Sequence, residues 1–266
     1  MYRAFDVNLV HEQYWSKFSK FYDYNDSIVC TMDTLRMLIN SSKEISANQI
    51  KQILLPKEHY DIFISHSHKD LLLAKGLAGY LRVLCGLSCF IDSLYWGNID
   101  ELQEELNRMH LHKDEATGKK YFNHKSTMEV AKHANMILAS ALTEMIDNCE
   151  CVFFLNTDNS VISGTEAINK NETYSPWIYH EVFTTSIIHR KGTGRRAALE
   201  EQHIRDNAIK PLPQFIYNLD LTGMTNLNDD DILDWGIIVN NNNTYPVVNN
   251  NTHPLDILYK LKPERK

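Results

Sequence analysis

The sequence is poor in cysteine, with five in 266 residues: Cys30, Cys85, Cys89, Cys149 and Cys151. So odd and sparse a set is no disulfide framework, and a reducing, cytoplasmic setting is the expectation. No apolar run approaches the roughly 20 residues that cross a bilayer, so no membrane partner is expected. The opening MYRAFDVNLVHEQYW has no basic stretch followed by an apolar one, and so no secretory signal pattern. Basic residues are also in deficit. Lys and Arg number 27 against 34 Asp and Glu, a formal net charge of −7. That argues against a general nucleic-acid binder, which needs a basic footprint for phosphates. A Gly-rich phosphate fingerprint is missing, which disfavours a dinucleotide-binding dehydrogenase or a P-loop enzyme. The 12 histidines include no paired set with zinc-finger spacing and no His-Glu-x-x-His helix. His66-x-His68, His110-x-His112 and Cys85-x3-Cys89 come nearest, and no metal is expected.

What is present is a core. Hydrophobic residues make up 43% of the chain and aromatics 10%, enough to exclude global disorder. Four short apolar runs read as strands covered on both faces: YDIFI at 60–64, SCFID at 88–92, CVFFL at 151–155 and PQFIY at 213–217. Helical patterns separate them. Leu73, Leu77, Leu81 and Leu84 share a face that ends at Gly86, and Gly76 and Gly79 weaken this helix. Ser126 and Glu129 offer a capping box for a helix striped by Val130, Ala134, Ile137, Leu138, Ala141, Leu142, Met145 and Ile146. Ser175-Pro176 starts another helix, and His253-Pro254 precedes a last one.

Alternating strands and helices predict an α/β domain with a parallel central sheet, and such sheets bind ligands beyond the carboxyl ends of their strands. Those ends carry Ser65-His66, Asp92-Ser93 and Asn156-Thr157. The first 56 residues, with Tyr14, Trp15, Phe18, Phe21, Tyr22, Met32, Leu35, Leu38 and Ile39 at roughly helical spacing, predict a helical extension over 1–56. It is expected to pack as an accessory layer on a domain spanning 57–266; an oligomerisation surface is the sharper alternative. Residues 94–125 and 158–174 read as insertions, the first charged and poorly periodic like many binding loops. The asparagine-rich stretch 240–251 reads as a surface loop. The basic group Arg190, Lys191, Arg195 and Arg196 reads as a solvated loop able to meet an acidic partner or phosphates.

Three blocks in order, YDIFISHSHKD (60–70), SCFID (88–92) and SPWIYHEVF (175–183), resemble a TIR (Toll/interleukin-1 receptor) domain over about residues 59–262. The resemblance implies a flavodoxin-like sheet and, for the third block, an enzymatic TIR domain that cleaves the nicotinamide–ribose bond of NAD. NAD is then substrate, with no separate cofactor. It further implies a homo-oligomer built by TIR–TIR contacts and, as in Thoeris-like bacterial antiviral defence, a nucleotide signal for a downstream effector. A TIR–TIR interaction module without catalysis is the alternative. The basic pair that some members carry after the first strand is replaced here by Ser67 and His68.

Glu181 is the expected catalytic residue. Cleavage of an N-ribosyl bond develops an oxocarbenium-like ribose, and a nearby carboxylate stabilises that charge. The cationic nicotinamide departs neutral, so no second acid is needed. The ordinary fate of a helix glutamate, however, is solvation. Trp177, one turn earlier, is expected beside the substrate or in the core. Ser65, His66, Ser67 and His68 follow the first strand and precede a helix, where backbone N–H groups meet a phosphate or simply cap a turn. Asp92 ends the second strand. Tyr95 and Trp96 follow it in a loop, placed to stack on a base, bind a neighbouring protomer or anchor the loop. Cys149 and Cys151 read as buried thiols.

Overall fold

The computed structural model describes residues 3–22, 34–38, 46–54, 58–94, 103–104, 106–108, 111–113, 120–122, 124–162, 171–188, 216–244 and 252–264. In chain order its elements begin with β1 (Arg3–Asn8), α1 (Glu12–Ser16), α2 (Ala47–Leu54), β2 (Ile62–Ser65), α3 (Leu71–Cys85) and β3 (Cys89–Ile91). They continue with β4 (Leu111–Lys113), β5 (Lys120–Phe122), α4 (His124–Asn148), β6 (Cys151–Leu155), β7 (Glu172–Thr173) and α5 (Pro176–Ile187). The last are β8 (Tyr217–Asn218), β9 (Thr225–Asn228), α6 (Asp229–Thr244) and α7 (Pro254–Leu261). No helix among the described residues is long and apolar enough to cross a membrane.

Five parallel strands in the order β3-β2-β6-β1-β9 form the central sheet. Without β1, the remaining strands run second, first, third, then last, as in a flavodoxin-like sheet. The N-terminal strand β1 fills the gap between β6 and β9. This corrects the expectation of a purely helical extension over 1–56: residues 3–8 lie inside the sheet, and helices follow at 12–16 and 47–54. The sequence RAFDVN alternates in a way that suits a strand with two different faces. Arg3 is buried, donates to Thr225 Oγ1 at 2.8 Å and stacks its guanidinium 4.9 Å from the Phe5 ring and 5.2 Å from Tyr259.

The PQFIY run is the second correction. Its last residue, Tyr217, pairs antiparallel with Thr173, and Asn218 beyond the run pairs with Glu172, in a separate small sheet. Within 94–125, Leu111–Lys113 and Lys120–Phe122 form an antiparallel pair. Helix α4 starts at His124, so Ser126 lies in its first turn and not at its cap. Helix α6 runs to Thr244 and takes in residues 240–244 of the expected asparagine-rich loop. Residues 190–196, with the basic group, lie outside the described residues, as do 245–251.

The strand register sorts side chains onto two faces. Phe5, Val7, Ile62, Ile64, Phe153 and Leu155 face a core closed by α1, α3, α6 and α7. On the other face, Phe90, Phe63, Val152 and Ala4 form an apolar row across four strands, packed against α4. The next row on that face, nearer the carboxyl ends, is Ser65, Phe154, Asp6 and Asn226. It is mixed in polarity and lies beneath α5, whose Ile178 and Val182 cover Phe154. One face therefore runs from an apolar layer to a polar rim along the strand direction.

Gly76 and Gly79 have a use that propensity hides. A Cβ on either would collide with the backbone carbonyl of Trp15 or of Phe18, respectively. These glycines let α3 lie directly against the 15–22 segment. Gly86 ends α3 with φ +68°, as its position predicts.

Candidate active site

Helix α5 carries the principal residue. Ser175 caps it, its Oγ accepting from Ile178 N at 3.2 Å, and Pro176 opens the first turn. Ile178 and Val182 bury against Phe154, Leu219 and Leu221, which fixes the rotation of the helix and turns Glu181 into the sheet edge. Glu181 is 1% exposed. Its Oε2 accepts a 2.5 Å hydrogen bond from Ser65 Oγ at the end of β2. Its carboxyl also meets the Asp92 side chain, in a hydrogen bond that needs a proton on one of the two.

The Asp92 carboxyl, just beyond β3, lies beside Glu181. Burial first, and then the negative charge of Asp92, push the Glu181 carboxyl well above the usual carboxylate range, while the Ser65 hydroxyl opposes them. Two carboxyls this close in a dry site share charge poorly, so the pair favours holding a proton. His66 is buried with Nδ1 3.1 Å from Asp92 Oδ1 and Nε2 2.8 Å from Ser93 Oγ. The Ile64 carbonyl also lies 3.4 Å from Nδ1. Ser65, His66, Asp92, Ser93 and Glu181 thus form one connected group at the carboxyl edge of β2 and β3.

A second link closes the neighbouring edge. Buried Asp70, at the end of the short turn His68–Asp70, accepts from Thr157 Oγ1 at 2.5 Å and from Asn159 Nδ2 at 2.6 Å. It ties the segment after β2 to the segment after β6.

The other expected site residues are placed differently. Ser67 is half-buried and His68 exposed at the start of that turn, where the Asp70 amide already bonds the Ser67 carbonyl at 2.8 Å. Trp177 is half-buried, packs against the core beneath α4 and meets His180 edge-on at 6.4 Å between centroids. His180 Nε2 lies 3.2 Å from both Thr143 Oγ1 and the Ala139 carbonyl, so this turn of α5 stitches to α4. Tyr95 and Trp96 lie outside the described residues.

Cys85, Cys89, Cys149 and Cys151 are buried and free, and burial pushes the Cys85 and Cys149 thiols up to about 12. Such thiols are poor nucleophiles and poor metal ligands. Among the described residues no group of three or more His, Cys, Asp or Glu side chains could hold a metal ion.

Sequence reasoning missed Asp6 entirely. It stands in the same row as Ser65, and the only local signal was the short alternation of RAFDVN. The partners of Asp70 were also missed, since Thr157 and Asn159 meet it only through the folding of two loops. No protein-family model, no curated protein and no solved structure matches the chain.

Proposed function

We propose that this chain is an NAD-consuming enzyme of TIR type, with Glu181 as its catalytic carboxylate. The observation that carries this reading is the buried Glu181 carboxyl, held by Ser65 and set against the Asp92 carboxyl at the carboxyl edge of a parallel sheet. A solvated helix glutamate needs no such burial, and an uncompensated buried carboxyl is costly to keep.

The chemistry follows from that environment. The bond between ribose C1′ and the nicotinamide nitrogen breaks, and its electron pair goes to the nitrogen, which becomes neutral. Positive charge builds on the ribose beside Glu181. A cationic nicotinamide riboside also favours the ionised carboxylate, so substrate entry drives the proton off the Glu181–Asp92 pair. His66, held between Asp92 and Ser93, keeps Asp92 oriented. Attack by water gives ADP-ribose, while attack by a hydroxyl of the same molecule or of another acceptor gives a cyclic or conjugated product. The attacking oxygen loses its proton to the carboxylate or to solvent. Since Glu181 is shielded from solvent here, the residues over it must shift to admit the substrate.

By resemblance, the product is a signal in bacterial antiviral defence. It would be made in the cytoplasm by an assembly held through TIR–TIR contacts and read by a separate effector. Incubating concentrated protein with NAD, and identifying products by mass spectrometry, tests the reading. Nicotinamide release that disappears in Glu181→Gln supports it. Unchanged release in that variant removes Glu181 from the mechanism. Self-association with no loss of NAD would favour an interaction module instead.

A further inference from the structure

We infer that the cavity beside Asp6 is a second binding site, built for a neutral polyhydroxyl group such as a sugar ring. Asp6 lies on β1, in the interior of the sheet, and is 8% exposed. One side of its carboxyl meets the Asn156 side chain. Its Oδ1 has no hydrogen-bond partner among the described residues. A central strand carrying an acid with an unanswered oxygen is a costly arrangement unless something supplies a donor.

The Asp6 side chain forms part of the wall of a cavity of about 490 Å³, within the range of small-molecule sites, and its sealed Oδ1 meets a ligand there only when the side chain turns. Its walls include Asn171 and Asn218 from the β7–β8 pair, Asn226 from β9, Thr222, and the apolar Leu219 and Leu221. Carboxamides and a hydroxyl both donate and accept, as sugar hydroxyls do. A buried carboxylate is a common partner of ribose hydroxyls. The two leucines supply the apolar surface that the C–H face of a sugar ring covers.

The lining also speaks against other ligands. No Lys, Arg or His is among the described lining residues, and Asp6 and Asp220 are both acidic, so the described lining offers a phosphate no counter-charge. Asp220 is turned to its own loop, accepting from Thr222 N at 3.1 Å and Thr222 Oγ1 at 2.6 Å. Among the described lining residues Asp6 is then the one acid not held by its own loop, fewer than a tight divalent site needs.

The site has a defined relation to Glu181. Ser65 and Asp6 share a row and a face, with Phe154 between them. Two strand spacings separate them by about 10 Å, within the span of a molecule carrying two sugars. Sugar binding itself does not depend on whether Glu181 cleaves NAD.

The test is titration of the full chain, followed by protein NMR, with D-ribose, adenosine, ribose 5-phosphate, spermidine and calcium chloride in separate experiments. Ribose and adenosine are expected to bind, and ribose 5-phosphate more weakly. Adenosine binding without ribose binding would assign the site to a nucleoside and not to a free sugar. Asp6→Ala and, independently, Asn226→Ala should each weaken the sugar at least tenfold. Because Asn226 is exposed on an edge strand, its variant keeps the test open if Asp6→Ala fails to fold. Absence of binding by both ribose and adenosine, binding unmoved in Asn226→Ala, or response to spermidine or calcium alone would overturn the inference.

Discussion

Ser65 and Glu181, 116 positions apart in the chain, meet in a buried 2.5 Å hydrogen bond between Oγ and Oε2. That distance is in the range of hydroxyl bonds to a carboxylate. The hydroxyl works against burial and Asp92 in setting when Glu181 ionises. Ser65→Ala is therefore expected to move the acid limb of the pH–rate profile for NAD loss to higher pH. Ser65→Thr, which keeps the hydroxyl, should restore it. A profile that stays in place would limit Ser65 to packing.

Glu181→Gln keeps the shape of the side chain and removes the charge. Nicotinamide release should fall by about 10²–10³-fold, the size of effect seen when one charge-stabilising group is lost from a site. Circular dichroism should be unaltered, which separates this loss from misfolding.

The same substitution has a signature in stability. In the unfolded chain Glu181 ionises at its ordinary value, while the folded chain holds its proton to higher pH. Between those values the native state binds the extra proton, so stability falls as pH rises through the window. Glu181→Gln removes that fall. Its melting temperature should exceed that of the parent more at pH 8 than at pH 4, by roughly 2–4 °C for each kcal/mol of relieved strain. A difference that does not change with pH would count against the buried carboxyl as its source.

Asp229 shows the opposite sign. It accepts from Val10 N at 2.9 Å, His11 N at 3.3 Å and Trp15 Nε1 at 2.6 Å. Burial raises its carboxyl, but these donors, the Trp15 indole first, outweigh it and hold the group below its ordinary value. Its contribution is present above the unfolded-state value and is lost as pH falls through the folded one. Asp229→Ala should destabilise by about 1.5–3 kcal/mol near pH 7, with the gap closing in acid. Denaturant melts at the two pH values measure it.

Gly76→Ala and Gly79→Ala should each cost about 1–3 kcal/mol, although alanine is the better helix former. The added Cβ meets a carbonyl of the 15–22 segment, so α3 must move. Gly223→Ala, where a Cβ meets nothing within 4 Å, is the matched control. Removal of residues 1–8 should do more than any of these, because it takes an inner strand out of the sheet. A soluble, cooperatively melting truncation would show that β1 is dispensable.

Much of the site could be read along the chain because its parts sit at punctuated positions. Ser65 and Asp92 each follow a buried apolar run, and Glu181 lies on a helix announced by Ser175-Pro176. Buried strands and capped helices leave local signals, since burial selects apolar runs and helix ends need side-chain acceptors. Trp177 shows the limit. Its spacing from Glu181 was plain, but whether it turned to the substrate or to α4 depended on what packed against the next turn.

By itself the sequence determined an α/β chain with strands at 60–64, 88–92 and 151–155 and an acidic residue on the helix that starts at Ser175-Pro176. Only the tertiary structure decided that β1 enters the sheet between β6 and β9, that Glu181 and Asp92 crowd one another, and that Asp6 shares a row with Ser65. The reason is physical. Helices and caps are made by residues a few positions apart, whereas strand order, like-charge proximity and cavities arise from pairings across tens to some two hundred positions, for which no local pattern exists.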